Sequence, residues 1–286
     1  MKKEVLLLLI ASFLSSICLA QKSELQSNLE SALDGFRGEV GVFAWNLKTG
    51  EQVEVNADTI FPTASIVKVP ILVGIFDKIE KGELTYRQPL VYRDSIKYGG
   101  SGLMQHFKDS TETDLSMLVS LMITYSDNTT SLWCQALAGG GSRINELMEE
   151  LGLQHTRVNS RTPGREPIRE IYGWGQTTPR EMATLLVKIR KGEVVSKAAS
   201  ERMYRLMTNI YYDENALSVI PPYIQTASKQ GMVNASRSEL VMVNSPNGDY
   251  VFYIATKNNT DTRWEDDNEA YELQRKVSKL FWDYWK

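Results

Sequence analysis

The stretch FPTASIVKVPILVGIF, residues 61–76, places a single lysine inside an otherwise apolar run. From Ile66 onward, apolar residues occur on every side of the predicted helix, a pattern typical of a buried helix rather than an amphipathic one. Burial disfavours a charged amine, so the pKa of Lys68 should fall and its side chain can act as a neutral base. Ser65 faces the same side three residues earlier, which predicts a serine nucleophile with a lysine base. Pro70 predicts a kink.

Working outward from this helix, the chain has strand-rich ends and a helix-rich middle. A predicted helix over 22–36 precedes two alternating segments, GEVGVFAWNL and EQVEVN, which indicate a hairpin. The predicted helices of the middle run over 65–80, 114–125, 128–138, 142–151 and 179–190. Three strands follow in PYIQTASK, ELVMVN and DYVFYIATK, and the last segment, EAYELQRKVSKLFWDYWK, has helical spacing.

This order of elements predicts an α/β (α+β) fold. Its antiparallel sheet takes strands from both ends of the chain, is flanked by the terminal helices, and carries an inserted all-helical subdomain. In this interpretation the α/β part covers about 21–64 and 206–286, and the helical part covers about 65–205.

The first twenty residues, MKKEVLLLLIASFLSSICLA, have the pattern of a secretory signal peptide, with a charged start, an apolar run and a small residue at the end. A membrane anchor and a lipid on Cys18 are the alternatives. We predict cleavage, a mature chain over 21–286 without stable membrane insertion, and a periplasmic or secreted location.

Composition excludes several classes of function. The net charge of −3 gives no indication of a nucleic-acid partner. His106 and His155 are the only histidines, and Cys134 is the only cysteine after Cys18, so we predict no metal site and no cofactor. Serine chemistry in this chain therefore needs a base other than histidine. We expect a monomer.

Two further motifs follow the Ser65–Lys68 pair. The segment TYSDNTT holds Ser126, Asp127 and Asn128 between two predicted helices, where one of them could simply cap the second helix. Alternatively, the serine relays a proton to a leaving nitrogen. On a predicted late strand, Lys229-Gln230-Gly231 would let a substrate backbone approach closely beside an ammonium group.

The ordered set S-x-x-K, S-D-N and K-x-G resembles the signature of class A β-lactamases and penicillin-binding proteins, over essentially the whole mature chain. The resemblance implies that Ser65 is acylated, that Lys68 activates it, and that Ser126 shuttles the proton. It further implies that Asn128 holds Lys68 and a substrate amide, that Lys229 orients a substrate carboxylate beside Gly231, that the backbone N–H groups of Ser65 and Met232 form an oxyanion hole, and that Arg237 binds the carboxylate as well.

The sequence departs from the family pattern at two places. Gln230 replaces the usual threonine or serine, so carboxylate recognition should be weaker or altered. The E-x-x-L-N loop that activates the deacylating water is matched only by Glu166 and Pro167, and other alignments put the expected acid at Thr162. Glu166 is therefore the candidate water-activating residue, with a solvated loop position as the alternative reading of both Glu166 and Glu170.

From these motifs we predict a secreted serine β-lactamase that opens β-lactam rings through a Ser65 acyl-enzyme. The alternative is a related penicillin-binding-type hydrolase, such as a D-alanyl-D-alanine carboxypeptidase or an esterase, with slow deacylation. A non-enzymatic binding module that retains the fold is a third hypothesis. The expected partner is a small β-lactam or a D-alanyl peptide.

Overall fold

The main sheet is built from five antiparallel strands. The structure, a computed structural model, describes residues 23–286; the predicted signal peptide lies outside them. The strands are β1 (Glu39–Asn46), β2 (Gln52–Val55), β8 (Thr226–Val233), β9 (Ser236–Val243) and β10 (Tyr250–Lys257), and their order in the sheet is β2-β1-β10-β9-β8. Strands from both ends of the chain therefore pair, as the element order predicts, and β1 and β2 form the predicted hairpin with Trp45 opposite Gln52.

The terminal helices cover one face of this sheet. Helices α1 (Glu24–Leu33) and α9 (Glu269–Trp285) pack on alternate strand residues, including Val42, Phe252 and Ile254, to form one of two apolar cores. Successive residues of a strand point to opposite faces. The intervening residues of β10 enter the other core, so this strand is apolar on both faces.

The opposite face of the sheet packs on the helical block. Its helices are α2 (Lys68–Glu80), α3 (Leu115–Thr124), α4 (Asn128–Leu137), α5 (Gly140–Glu150), α6 (Glu166–Tyr172), α7 (Pro179–Lys191) and α8 (Lys197–Met207). In α2 every residue from Lys68 to Asp77 is buried, in agreement with the apolar pattern of the opening stretch. None of the helices within 23–286 has the length and hydrophobicity needed to cross a bilayer.

Short strands connect the segment before α2 to the rest of the helical block. Strand β3 (Phe61–Pro62) pairs with β7 (Gly175–Thr177), and β7 pairs with β6 (Arg157–Val158). A separate pair joins β4 (Pro89–Val91) to β5 (Glu112–Asp114). These strands of two or three residues are too short to produce a readable alternation in the sequence.

The structure also explains why a proline is tolerated after Lys68. Ala64–Val67 forms a 3₁₀ turn, and the α-helix begins only at Lys68. Pro70 therefore falls in the first turn, where backbone N–H groups have no partner within the helix. The helix predicted from residue 65 therefore begins three residues later, at Lys68, because the pattern alone does not separate the 3₁₀ turn from the α-helix.

Candidate active site

Ser65 lies on the 3₁₀ turn, directly before the buried helix α2. Its neighbour Ala64 has φ of 43°, which is unusual for a residue with a side chain and marks local strain. The Ile66 N–H donates to the Thr63 carbonyl at 2.9 Å and closes the turn. This geometry sets Ser65 at the surface of a cavity while the next two residues are buried.

Lys68 is completely buried and lies within hydrogen-bond distance of four oxygen atoms. Its Nζ is 2.8 Å from Ser65 Oγ, 3.0 Å from Ser126 Oγ and 3.0 Å from Asn128 Oδ1, and it also contacts the Ser126 carbonyl. None of these oxygens is a carboxylate. The first two motifs of the sequence therefore meet at one amine.

Burial lowers the pKa of Lys68 well below its ordinary value, and the charge of Lys229 lowers it further, with Asp127 opposing. A neutral amine keeps a lone pair that can accept the Ser65 proton. The structure thus agrees with the lowered pKa that the apolar pattern predicts for Lys68.

Ser126 lies between the two buried lysines. Its Oγ is 3.0 Å from Lys68 Nζ and 3.0 Å from Lys229 Nζ. Its φ of 53° is in the left-handed region, so the backbone is held in a strained conformation that directs the hydroxyl between the amines. A hydroxyl placed in this way can accept a proton from one side and donate one to the other.

The helix-capping alternative for this motif also holds, but for a different residue. The Asp127 carboxylate accepts from Thr130 N at 2.8 Å and from Met104 N at 2.7 Å, and so caps α4 and anchors a neighbouring loop. Asn128 holds Lys68 through Oδ1 and donates to the Gly99 carbonyl through Nδ2 at 3.1 Å. Asp127 therefore has a structural role, whereas Ser126 and Asn128 contact the Lys68 amine.

Lys229 reaches the same cluster from strand β8. Burial lowers its pKa to about 7, and the Glu239 carboxylate opposes that shift. Glu239 is itself fully buried, and burial raises its pKa to about 7 against hydrogen bonds from Ala216 N and Ser228. Its role was not recognised in the sequence, because an acid in the apolar stretch ELVMVN reads as an ordinary strand residue.

Gln230 directs its amide away from the role expected of a hydroxyl at this position. Its Nε2 donates to the Tyr212 carbonyl at 3.1 Å and approaches Glu239 Oε1 at 3.4 Å. Its Oε1 is buried without a hydrogen-bond partner. The amide is thus committed to the wall of the site, consistent with altered carboxylate recognition.

Gly231 also has a structural role, in addition to the predicted close approach of a substrate, which stays a prediction. A Cβ at this position would overlap the Thr63 carbonyl oxygen and would lie 2.9 Å from Ile66 Cγ1. The glycine therefore lets strand β8 approach the turn that carries Ser65. Met232, the next residue, lines the cavities beside Ser65.

Arg237 does not reach this cluster. Its side chain is fully buried, and it donates to the carbonyls of Asn234 at 2.7 Å and Ser236 at 3.0 Å. A third bond goes to Tyr271 Oη at 3.1 Å. Arg237 lies on β9, and these bonds commit its guanidinium to groups of the protein itself, so that it lines neither cavity at Ser65.

Glu166 is also not brought to the cluster. It is the exposed first residue of α6 and lines neither cavity at Ser65. Glu170 is exposed as well and borders a separate depression. Arg165, the residue before Glu166, donates to Asn159 Oδ1 at 2.7 Å and to Gln176 Oε1 at 2.8 Å. The loop is therefore held by hydrogen bonds from Arg165 to neutral side chains, which the charges in the sequence did not predict.

An aromatic residue, Trp174, lies close to the Lys68 amine. Its ring centroid is 5.9 Å from Lys68 Nζ, and its ring meets Tyr98 edge to face at 5.3 Å. The sequence offered no signal for either ring beyond the presence of aromatic residues in loops.

Two cavities open beside Ser65. The cavity on the Ser126 side is about 320 Å³ and is lined by Ser65, Ser101, Ser126, Asn128, Tyr212, Lys229, Gln230, Met232 and Trp264. The cavity on the Trp174 side is about 250 Å³ and is lined by Ala64, Ser65, Tyr98, Asn128, Gly173, Trp174, Met232 and Val233. Neither lining includes a carboxylate.

Comparison with known proteins agrees with this architecture. The model of the beta-lactamase enzyme family matches residues 24–285, so the chain belongs to that family. Beta-lactamase VEB-1 from Pseudomonas aeruginosa is 22% identical over 99% of this chain and 98% of its own length. The resemblance predicted from the three motifs is confirmed.

Solved structures show the same fold. PBP-A is 28% identical, with a TM-score of 0.81 over 92% of this chain and 96% of its own. A mutant of PBP-A, also 28% identical and with a TM-score of 0.80, was solved as an acyl-enzyme complex with penicillin G. A beta-lactamase from Chitinophaga pinensis, at 19% identity, has a TM-score of 0.83 over 92% of this chain and 99% of its own.

Proposed function

We propose that this protein is a serine hydrolase that opens β-lactam rings through an ester on Ser65. The observation that carries the proposal is the 2.8 Å contact between Ser65 Oγ and the fully buried Lys68 Nζ. A neutral amine at that distance can take the hydroxyl proton as the oxygen attacks the ring carbonyl. Family membership and the beta-lactamase relatives support the same substrate class.

The proton then has a route to the leaving nitrogen. Ser126 Oγ is within 3.0 Å of both lysine amines, so it can give its proton to the nitrogen as the ring C–N bond breaks and regain one from Lys68. Lys229 supplies positive charge for a substrate carboxylate. Backbone N–H groups of Ser65 and Met232 are the proposed oxyanion hole. At the end of this step Lys68 is again neutral.

Release of the acyl group divides the proposal into two candidates. In the first, a β-lactamase, neutral Lys68 activates the water that hydrolyses the Ser65 ester. In the second, a penicillin-binding-type hydrolase acting on D-alanyl peptides or esters, β-lactam deacylation is slow. The second is favoured by the absence of any carboxylate in the linings of the two cavities and by the exposed position of Glu166.

A time course of intact mass after addition of benzylpenicillin separates the candidates. Ser65 should gain the mass of one penicillin, and Ser65→Ala should gain none. Steady hydrolysis of a chromogenic cephalosporin with a short-lived adduct supports the β-lactamase, whereas an adduct that persists for hours supports the second candidate. If Ser65 stays unlabelled by both compounds, the proposal fails and a binding module is the better description.

A further inference from the structure

Trp264 is an exposed aromatic residue at the active-site groove. Its side chain is 61% exposed, yet it lines the cavity that also holds Ser65, Ser126 and Lys229. Single exposed apolar residues are common and need no explanation. Trp264 differs because several polar contacts, some of them part-buried, tie down the backbone of the loop that carries it.

The fully buried Arg237 guanidinium supports the indole from below. Its Cζ lies 4.3 Å from the Trp264 ring centroid, a cation–π stack. The same guanidinium donates through Nη2 to the carbonyl of Arg263, the preceding residue, at 3.0 Å. Asn268 Nδ2 donates to that carbonyl as well, also at 3.0 Å. The backbone next to Trp264 is therefore fixed on two sides.

A second set of contacts holds the rest of the loop. The Arg263 side chain bonds the Asp261 carboxylate at 2.9 and 3.1 Å, and that carboxylate also accepts from Glu269 N at 3.1 Å. Holding a large aromatic face rigid while it is still exposed lowers the entropy lost when a ligand stacks on it. This is the property expected of a binding residue.

The position of Trp264 identifies the half of the substrate that it would meet. Ser126 is the hydroxyl that serves the leaving nitrogen, and Trp264 shares its cavity. Trp174 lines the other cavity, on the far side of Ser65. The leaving-group half of a substrate therefore lies toward Trp264, and the acyl half lies toward Trp174.

Charged groups are few at this end of the groove. The Gln230 amide nitrogen is bound to the Tyr212 carbonyl, and Arg237 is enclosed beneath the indole. Lys229 is the only lysine or arginine in the cavity lining, which also includes Tyr212, Met232 and Trp264. Besides the hydroxyl and amide groups near Ser65, the cavity therefore offers a substrate two aromatic rings.

We propose that Trp264 is a specificity-determining residue that stacks on the leaving-group half of the substrate and favours acyl donors carrying an aromatic substituent there. The inference rests on the proposed acylation of Ser65. Aromatic pairs contribute enough beyond buried area to make a several-fold preference the expected effect.

The test uses two cephalosporins with the same acyl side chain, one with methyl and one with an aromatic thiomethyl group at C3. The second-order rate constant for Ser65 acylation is measured by quenched-flow mass spectrometry for the wild type, Trp264→Ala, Trp264→Phe and Tyr223→Ala. Tyr223 is 83% exposed and lines neither cavity at Ser65, so its variant is the matched control. Comparing rate ratios between proteins cancels the intrinsic reactivity of each compound.

The preference for the aromatic compound should fall about threefold to tenfold in Trp264→Ala. It should be largely retained in Trp264→Phe and unchanged in Tyr223→Ala. An unchanged preference in a folded Trp264→Ala overturns the inference while leaving the proposed function intact. If neither compound acylates the wild type, the proposed function fails. Trp264 is then tested directly by NMR titration of both compounds into Ser65→Ala, with and without the additional change Trp264→Ala. If Trp264→Ala lowers the affinity for the two compounds equally, its role is overturned.

Discussion

The chemistry of Lys68 depends on what surrounds its amine. Four oxygen atoms lie within hydrogen-bond distance of it, and none carries a formal charge, while burial and the nearby Lys229 both disfavour protonation. An ion-pair partner in the same place would have held the proton on the lysine and removed its basicity. The site therefore fixes the position of the Lys68 amine and disfavours its charged form.

The rate of Ser65 acylation should depend on pH through both buried lysines. Because the pKa of Lys68 is lowered, the rate should rise with pH as that amine loses its proton. Because burial lowers the pKa of Lys229 to about 7, attraction for a substrate carboxylate should weaken above that pH. A carboxylate-bearing β-lactam should thus give a bell-shaped profile of acylation rate against pH.

Two comparisons assign the limbs of this profile. An uncharged ester that acylates Ser65 should lack the falling limb, because it has no carboxylate for Lys229. Lys68→Met, which keeps the buried volume, should slow acylation by about 10² to 10⁴. A rate in Lys68→Met that equals that of Lys81→Met, an exposed change at the end of the same helix, would exclude the lysine as the base.

Glu239 should make stability depend on pH in the opposite direction from an ordinary surface acid. Burial raises its pKa from 4.5 to about 7, which corresponds to about 3 kcal/mol. The folded state holds the proton more tightly than the unfolded state, so this group destabilises the fold as pH rises from 4.5 through 7. Glu239→Gln should therefore gain up to about 3 kcal/mol in unfolding free energy at pH 8 relative to pH 4.

The test compares the effect of Glu239→Gln on the unfolding free energy at pH 8 with its effect at pH 4, since glutamine also loses one acceptor for the surrounding donors at both pH values. Urea unfolding at the two pH values measures these free energies. Glu193→Gln, an exposed loop change, is the control. Equal effects of Glu239→Gln at pH 4 and pH 8 would contradict the assignment of a raised pKa.

At the scale of elements, the turn that carries Ser65 is positioned by close backbone contact with β8. Gly231→Ala places a methyl group against the Thr63 carbonyl and Ile66. Backbone on one side and a packed core on the other leave little room to relax, so we expect a loss of more than about 2 kcal/mol in unfolding free energy. Acylation of Ser65 should slow as well, because the turn must shift.

Gly99→Ala is the matched control. Its added Cβ would have no neighbour nearer than Gln105 Oε1 at 3.7 Å, and its φ is not in the left-handed region. Thermal unfolding of the two variants should differ clearly. Equal midpoints would indicate that β8 can move away from the turn at little cost.

The elements differ in how well the sequence could predict them. Helix α2 and the hairpin β1–β2 follow from long, regular apolar patterns. The motif residues Ser65, Lys68, Ser126 and Lys229 come from the turn before α2, from α2 itself, from the α3–α4 connection and from β8, and they meet in one cluster. The loop before β7 does not follow from a pattern. Its shape depends on tertiary contacts such as Arg165 with Gln176, which override the charge spacing around Glu166.

Arg237 illustrates the same limit for a single side chain. Its strand could be predicted, but the direction of a guanidinium depends on which carbonyls surround it. Those carbonyls come from the turn after β8 and from the loop before α9. No local pattern in the sequence relates these two segments.

For the whole molecule, the sheet separates two apolar cores, and the site belongs to only one of them. Phe281 on α9 is fully buried in the other core, with ring centroids 5.3 Å from Phe252 and 5.3 Å from Trp285. Phe281→Ala should cost about 3 to 5 kcal/mol in unfolding free energy. The acylation rate of the folded variant should match the wild type, because Ser65 lies across the sheet.

Tyr284→Ala on the same helix is the control, since that ring is 44% exposed and its loss should cost less than about 1 kcal/mol. Urea unfolding gives the free energies, and penicillin labelling under native conditions gives the rates. A large fall in labelling rate for Phe281→Ala would mean that the two cores are mechanically coupled through the sheet.

Thr63 is enclosed between glycines from two different strands. A Cβ at Gly231 would overlap its carbonyl oxygen, and a Cβ at Gly175 would come within 2.7 Å of its hydroxyl. Neither glycine has a side chain that could react, yet both lie against the residue that precedes the Ser65 turn. In a saturation mutagenesis experiment, positions 175 and 231 should thus tolerate nearly as few substitutions as position 65. During evolution, a substitution that enlarges either residue would inactivate the protein while leaving the side chains around Ser65 unchanged.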